Sequence, residues 1–370
     1  MKNSLKYILP TTIVSILISF ALFYLIFNIM SYLKEYLKKF KTFNEFENSL
    51  LKYDLKMDKS DDLCLIRYRK RSRKDKLEYY LRNLIIDMNS LKIVHLGLKG
   101  STKVEKFMEE VKWGDCVIEN SIDGTLINLF WHKNKWKIST KSRLNADCKW
   151  NGVNIGDLFK KMINIEECNF DKNYCYSFIM CHPAIRNVTS YKGPKLYHIM
   201  SRNLEDLVEY DIDLDVEKPN IIKLDEWNKL NNINNYGELL VSLKDINWKY
   251  EGYMLFNKNR SYRVKLIGLE HIRVKELKGN YNDILFRLLE LEDYDELLKY
   301  YPEYEKELKY LDKTNLIKNI EKYSKKNILI PKIYRKCIIE YRMSNKNINT
   351  FLKNIDRSYL VCLLRDSNHH

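Results

Sequence analysis

No charged residue interrupts the chain between Lys6 and Lys34. The stretch YILPTTIVSILISFALFYLIFNIMSYL, residues 7–33, limits the possible architectures more than any other feature. Crossing a hydrocarbon core of about 30 Å takes about 20 helical residues. A cleaved leader usually has a shorter apolar region, about 7–15 residues, ending at small side chains. Here the run ends in Phe27, Asn28, Ile29 and Met30. An uncleaved transmembrane helix over residues 7–33 is therefore expected. Lys2 and Lys6 precede it, and Lys34, Lys38, Lys39 and Lys41 follow it. Positive flanks stay in the cytosol, so the expectation is a single-pass membrane protein with a cytosolic C-terminal part. The sequon at Asn187-Val188-Thr189 is then silent.

The whole chain has 370 residues, room for two domains. Hydrophobic residues make up 45% of it, and Gly and Pro are scarce, which excludes a largely disordered polymer. The net charge of +15 suits an anionic partner: nucleic acid, nucleotide or an acidic lipid surface. A solvated, lysine-rich surface gives the same sum. Eight cysteines are scattered without a CxxC pair. Cys175, Cys181 and His182 are close in sequence, but both cysteines fall in the strand-like run YCYSFIMC. Buried free thiols are expected there instead of zinc, and free thiols imply a reducing compartment.

Residues 34–60 read as an amphipathic helical stalk. From about 61 the pattern changes to short β-type runs: DLCLIRY (62–68), NLIIDM (83–88), LKIVHL (91–96), CVIEN (116–120), TLINLFWH (125–132) and KWKIST (135–140). Lys133-Asn134 joins the last two as a tight hairpin. A helix over 154–162 follows, with Asn154 as its cap. Further strands are expected at 174–181, 195–200, 248–256 and 261–267. Beyond about 280, Leu, Ile and Tyr recur at helical spacing. The pattern predicts an α+β domain over 61–280 and an all-α C-terminal domain over 281–370.

The segment ENSIDGTLINLFWHKNKWKISTKSRLNA (119–146) carries the most chemical information. Ser121, Ile122, Asp123, Gly124 and Thr125, followed by Lys141 in ISTKS, resemble the nucleotide-binding signature of bacteriophage-type RNA ligases, a branch of the covalent nucleotidyltransferases. That signature is Lys, any residue, Asp, Gly, Ser or Thr. RNLIID (82–87) resembles the family's upstream RGLI segment, with Arg82 in place and Asn83 where glycine is usual. SFIMCHPAIRNV (177–188) and YKGPKLYHI (191–199) resemble the third motif and its following strand. YEGYMLF (250–256) resembles the fourth, with Glu251 and Gly252, and YRVKL (262–266) the fifth, with Arg263 and Lys265. VKELKGN (274–280) and LLKYYPEYEKEL (297–308) resemble segments of RNA-ligase-like proteins of large DNA viruses. The resemblance covers about residues 62–310. It implies a nucleotidyltransferase (ATP-grasp-like ligase) domain of antiparallel sheets with helices, followed by the helical domain.

Such ligases attack the α-phosphate of ATP with a neutral lysine amine, forming a lysine–AMP phosphoramidate. Basic groups of the fifth motif neutralise phosphate, and carboxylates of the third and fourth hold ribose and Mg2+. By resemblance, Arg82, Asp123, Gly124, Glu251, Arg263 and Lys265 bind nucleotide, with Glu251 also toward the metal. Two positions depart from the pattern. Ser121 stands where the lysine belongs, and Ile179 where the third motif is acidic. The implied function is nucleotide binding, ATP with Mg2+, with RNA as a further partner and ligation lost. Lys141 as a displaced nucleophile is the active-enzyme alternative, and a membrane-tethered scaffold without nucleotide is the other. As structural alternatives, Asp123-Gly124 is only a turn, and Glu251, Arg263 and Lys265 are polar faces of ordinary strands.

RYRKRSRKDK (67–76) holds seven Lys or Arg in ten residues. Arg69, Arg71, Arg73 and Lys74 are candidates for RNA or anionic lipid contact, against an exposed loop as the plain alternative.

Overall fold

A computed structural model describes residues 32–69, 77–98, 100–150, 152–279, 284–291, 293–325, 330–344 and 346–368. The chain divides after Leu269 into two compact units.

Strands β1 (Leu55–Ser60), β2 (Leu63–Tyr68), β3 (Leu84–Asp87) and β4 (Ile93–Leu96) form an antiparallel sheet in chain order. Next come β5 (Cys116–Ser121), β6 (Thr125–His132) and β7 (Lys135–Thr140), then a two-stranded ribbon of β8 (Lys149–Trp150) and β9 (Val153–Asn154). β10 (Tyr174–Cys181), β11 (Lys195–Asn203), β12 (Glu209–Tyr210), β13 (Ile221–Ile222), β14 (Gly252–Asn257) and β15 (Arg263–Ile267) complete the first unit. The second sheet runs β12-β11-β10-β6-β7, and the third runs β13-β5-β14-β15.

Local chemistry accounts for several of these elements. Lys133 and Asn134 take φ of 47° and 60°, the two left-handed residues of a hairpin turn whose twist matches its strands. Helix Ile155–Met162 starts where Asn154 Oδ1 accepts the Asp157 amide at 3.0 Å.

Among the described residues, four cores hold the first unit together. Leu63, Leu65, Ile85 and Val94 of the first sheet pack on Phe130, Cys175 and Met200 of the second. The second sheet buries its other face, including Ile127, Leu129 and Phe178, under Ile155, Leu158 and Phe159. The third sheet packs Ile118, Leu255, Val264 and Leu266 against Phe107, Trp227, Tyr236 and Leu239. Its opposite face carries Glu119, Ser121, Arg263 and Lys265, because side chains alternate along a strand. The first sheet's remaining face is covered by Leu33, Leu37, Phe43, Phe46 and Leu50.

This last core corrects the expected architecture. Residues 7–31 of the expected transmembrane helix lie outside the described residues. Among the described residues, no helix is long and apolar enough to cross a membrane. The described fold is antiparallel sheets with helices, and the single-pass, cytosol-facing placement loses its support. The apolar pattern has a protein-core explanation at its C-terminal end, where Leu33 is 0% exposed beside Tyr32 and Tyr36. The segment 34–60, expected as a stalk, contains helix Phe43–Ser49 and strand β1.

The second unit is helical. Thr314–Ser324, Arg335–Ser344, Ile348–Asn354 and Arg357–Asn368 enclose Leu316, Ile320, Tyr334, Cys337, Phe351, Leu363 and Leu364. All eight cysteines are free thiols, and Cys175 and Cys181 are buried in β10.

Candidate functional site

Sheet register assembles the candidate site. Ser121 ends β5 directly opposite Gly252, the first residue of β14, so Glu251 arrives beside it. The Ser121 hydroxyl donates to Glu251 Oε2 at 2.7 Å. Lys265, two residues before the end of β15, reaches Glu251 Oε1 at 2.6 Å. Both carboxylate oxygens are thus engaged, one by a neutral donor and one by a cation. Ser121 is 9% exposed and Glu251 5%, so their hydrogen bond is shielded from water and stronger than on a surface, whereas the Lys265 end is open to solvent.

Asp123 is 5% exposed. Its Oδ2 accepts the backbone amides of Val188 and Thr189, both at 2.8 Å. Its carbonyl accepts the Tyr191 hydroxyl at 2.9 Å. Burial pushes the Tyr191 phenol far above its ordinary value, so it stays a donor. Carboxylate oxygens of Asp123 and Glu251 lie within 4.8 Å of one another. Two convergent carboxylates suit a hard divalent cation such as Mg2+ or Mn2+.

Gly124 is required by proximity. A Cβ there meets Ile179 Cγ2 at 2.6 Å and the Met180 carbonyl at 2.7 Å. Ile179 therefore lays its side chain against the Asp-Gly turn.

Arg263 takes a different place from Lys265, although both are on one face of β15. It is 3% exposed, and its Nη2 binds Glu209 Oε1 at 2.6 Å. The same oxygen receives Arg202 Nη2 at 2.5 Å. Burial pushes the Arg263 pKa down, and Glu209 opposes that shift, while Arg202, Arg260 and Arg82 add to it. Arg260 is held bidentately by Glu119 at 2.8 and 3.2 Å. Arg82, half-buried, thus lies within electrostatic reach of Arg263, and buried Arg202, Glu209 and Arg263 join the second and third sheets. Lys141 lies exposed, one residue beyond β7. Arg69 pairs loosely with Asp54 at 4.0 Å, and Arg71, Arg73 and Lys74 lie outside the described residues.

Sequence patterns did not point to Arg202, Glu209, Arg260 or Glu119. The one available signal was a charged residue, Arg202, within the strand-forming run KLYHIMSRN. A second cluster was also missed. His132 Nε2 and Lys133 Nζ meet Asp62 Oδ2 at 2.7 and 2.8 Å, with Asp87 Oδ2 at 3.7 Å from the imidazole. Lys133, above all, holds the Asp62 carboxyl below the usual carboxylate range. This cluster ties the β1–β2 turn to the β6–β7 hairpin.

Between the first two sheets lies a buried polar network. Asn83 has φ of 63°, the left-handed region that glycine favours and asparagine tolerates best among other residues. Its amide exchanges hydrogen bonds with Asn128 at 3.1 and 3.2 Å. Asn128 also meets Ser139 and Ser177, at 3.0 and 3.1 Å. His95 donates from Nδ1 to the Asn83 carbonyl at 3.3 Å. Burial pushes the His95 imidazole down to about 3. An unfolded histidine titrates near 6.5, so on acidification the unfolded chain binds the proton first. Stability present above pH ~6.5 is then lost as pH falls toward the folded pKa. The urea midpoint should fall between pH 7 and 4, and less steeply in His95→Gln. His198, pushed down to about 4, and His182, also pushed down by burial, supply residual slope, and the depressed Asp62 carboxyl adds to it as pH nears 4. Equal slopes in both proteins would remove His95 as the cause.

No protein-family model matches the chain, and no curated protein sequence does. Partial matches to solved structures exist. A lysine-to-alanine mutant of Naegleria gruberi RNA ligase with ATP and Mn is 11% identical, with a TM-score of 0.37, covering 49% of this chain and 57% of that one. The same ligase with pyrophosphate is 12% identical, with a TM-score of 0.36, covering 48% and 57%. This chain thus spans just over half the length of the ligases it matches.

Proposed function

We propose that the first unit is an RNA-ligase-like nucleotidyltransferase domain that binds ATP reversibly with a divalent cation and no longer carries out the covalent step. RNA is its second partner. The carrying observation is the contact chain Ser121–Glu251–Lys265, in which a hydroxyl stands where the resembled family has its amine.

The chemistry follows from bond type. A lysine amine gives AMP a P–N bond that remains activated for transfer. Ser121, even with Glu251 2.7 Å away to take its proton, gives only a phosphate diester, which is not an activated donor. Lys265 can turn from Glu251 toward a phosphate, since a carboxylate and a phosphate oxygen accept from an ammonium in the same way. Asp123 and Glu251 would hold the cation, which offsets the charge of the phosphates. Ile179 offers neither a metal ligand nor an acceptor for ribose.

Incubation with α-labelled ATP and Mg2+ or Mn2+, followed by denaturing electrophoresis, tests the loss of chemistry. No covalent label is expected. Calorimetry should detect ATP binding that weakens at least about tenfold in Lys265→Ala, the loss of one charge-assisted contact. A label that survives denaturation and disappears in Lys141→Ala would make this an active ligase with a displaced nucleophile. ATP binding that is absent, or unchanged in Lys265→Ala, leaves a scaffold as the function.

A further inference from the structure

Two loops border the Asp123–Glu251 cluster, and both carry aromatic or cationic groups. Tyr250 immediately precedes buried Glu251, yet is 70% exposed. Trp248 lies two residues earlier. The Arg186 guanidinium sits 5.9 Å from the Trp248 ring centre, and Lys249 Nζ sits 5.8 Å from it. Cations placed over an indole face are attracted by its quadrupole.

The loops are joined to each other and to the site. Thr189 Oγ1 donates to the Lys249 carbonyl at 2.9 Å, and the Thr189 amide donates to Asp123. The Tyr250 amide closes a turn onto the Asn247 carbonyl at 2.9 Å, and the Lys249 amide donates to Asn247 Oδ1 at 3.0 Å. Arg186 Nε is held by the Val188 carbonyl at 2.9 Å. A phenol ring left in water on a backbone so well tied is arranged in advance for contact, which lowers the ordering cost of binding.

We propose that loops 186–191 and 247–250 form a stacking platform for the terminal nucleotides of single-stranded RNA. Tyr250 offers a face to a base, and Lys249 and Arg186 meet the flanking phosphates. Exposed Lys192 extends the positive charge along the first loop. Alternating π-faces and cations match a single strand, whose bases present π-faces at every residue and whose backbone is anionic. The choice of RNA rests on the nucleotide reading of the adjoining cluster.

The test uses the full chain and a fluorescein-labelled, 5′-phosphorylated oligouridylate, followed by anisotropy. Tyr250→Ala should weaken binding about tenfold, within the range of one lost base stack, and Tyr250→Phe should retain it. Lys249→Glu should weaken it at least as much by reversing a charge. Inorganic polyphosphate, which has no bases, should compete equally against wild type and Tyr250→Ala in absolute affinity. ATP affinity, measured by calorimetry on the same proteins, should be unchanged by Tyr250→Ala. Oligouridylate binding that depends on Tyr250 while wild type binds no ATP supports the platform and removes only the nucleotide reading. Equal oligouridylate affinities for wild type and Tyr250→Ala would overturn the platform. So would phosphatidylglycerol vesicles that bind through Tyr250 when the oligonucleotide does not.

Discussion

Glu209→Ala is expected to lower the stability of the first unit by about 3–5 kcal/mol, the usual cost of removing one partner from a buried ion pair. Glu209 is the shared acceptor of two guanidiniums, Arg202 at 2.5 Å and Arg263 at 2.6 Å. Their side chains are 1% and 3% exposed, so water cannot replace the carboxylate. Arg202 keeps the Leu96 carbonyl at 3.0 Å and the Leu207 carbonyl at 2.6 Å. Arg263 is worse placed, because its Nε already finds no hydrogen-bond partner among the described residues. Two buried positive charges would then face each other, with Arg82 and Arg260 within electrostatic reach. Urea denaturation followed by tryptophan fluorescence measures the loss. Adding Arg263→Met to Glu209→Ala should recover part of it, since that removes one of the two buried charges left without a carboxylate, while Arg202 keeps its two carbonyl acceptors. A Glu209→Ala protein within about 1 kcal/mol of wild type would place the triad on the scale of a surface pair instead.

Gly252→Ala should cost about 3 kcal/mol or more, combining a strained dihedral with overpacking. Gly252 has φ of 132°, and a Cβ would stand 2.2 Å from the Leu266 carbonyl oxygen. The site has no slack, because Gly252 pairs with Ser121 on one side and Ile267 on the other. Relief requires β14 to move away from β15, which carries Glu251 off Ser121 and Lys265. ATP affinity should therefore fall by at least about tenfold, the scale of one lost charge-assisted contact, alongside the drop in urea midpoint. An alanine variant with wild-type midpoint and affinity would mean that the strands separate freely.

The same glycine shows how much was legible beforehand. Gly252 and Gly124 stood out as motif residues, and each occupies a place where a Cβ collides with a neighbour. Asn83 takes the left-handed backbone that glycine favours, a conformation set by its place before β3. Most strands were readable because period-2 alternation is a local property. Strand β1 escaped notice because LKMDKS is half-exposed and nearly without apolar contrast.

By itself, the sequence determined most of the strands, the Lys133-Asn134 hairpin and the Asn154 cap, all set by neighbours within a few residues. It also named Ser121, Glu251 and Lys265, whose meeting depends on β5, β14 and β15 lying side by side. Tertiary structure alone decided that Arg263 parts company with Lys265, because its partner Glu209 sits on a two-residue strand of another sheet with no pattern to announce it. It alone brought Asp62, Asp87 and His132 together from three separate turns and strand ends. It also decided the use of the apolar side chains at Leu33 and Leu37. Hydropathy records that such residues avoid water, and only the packed chain shows that the first sheet covers them.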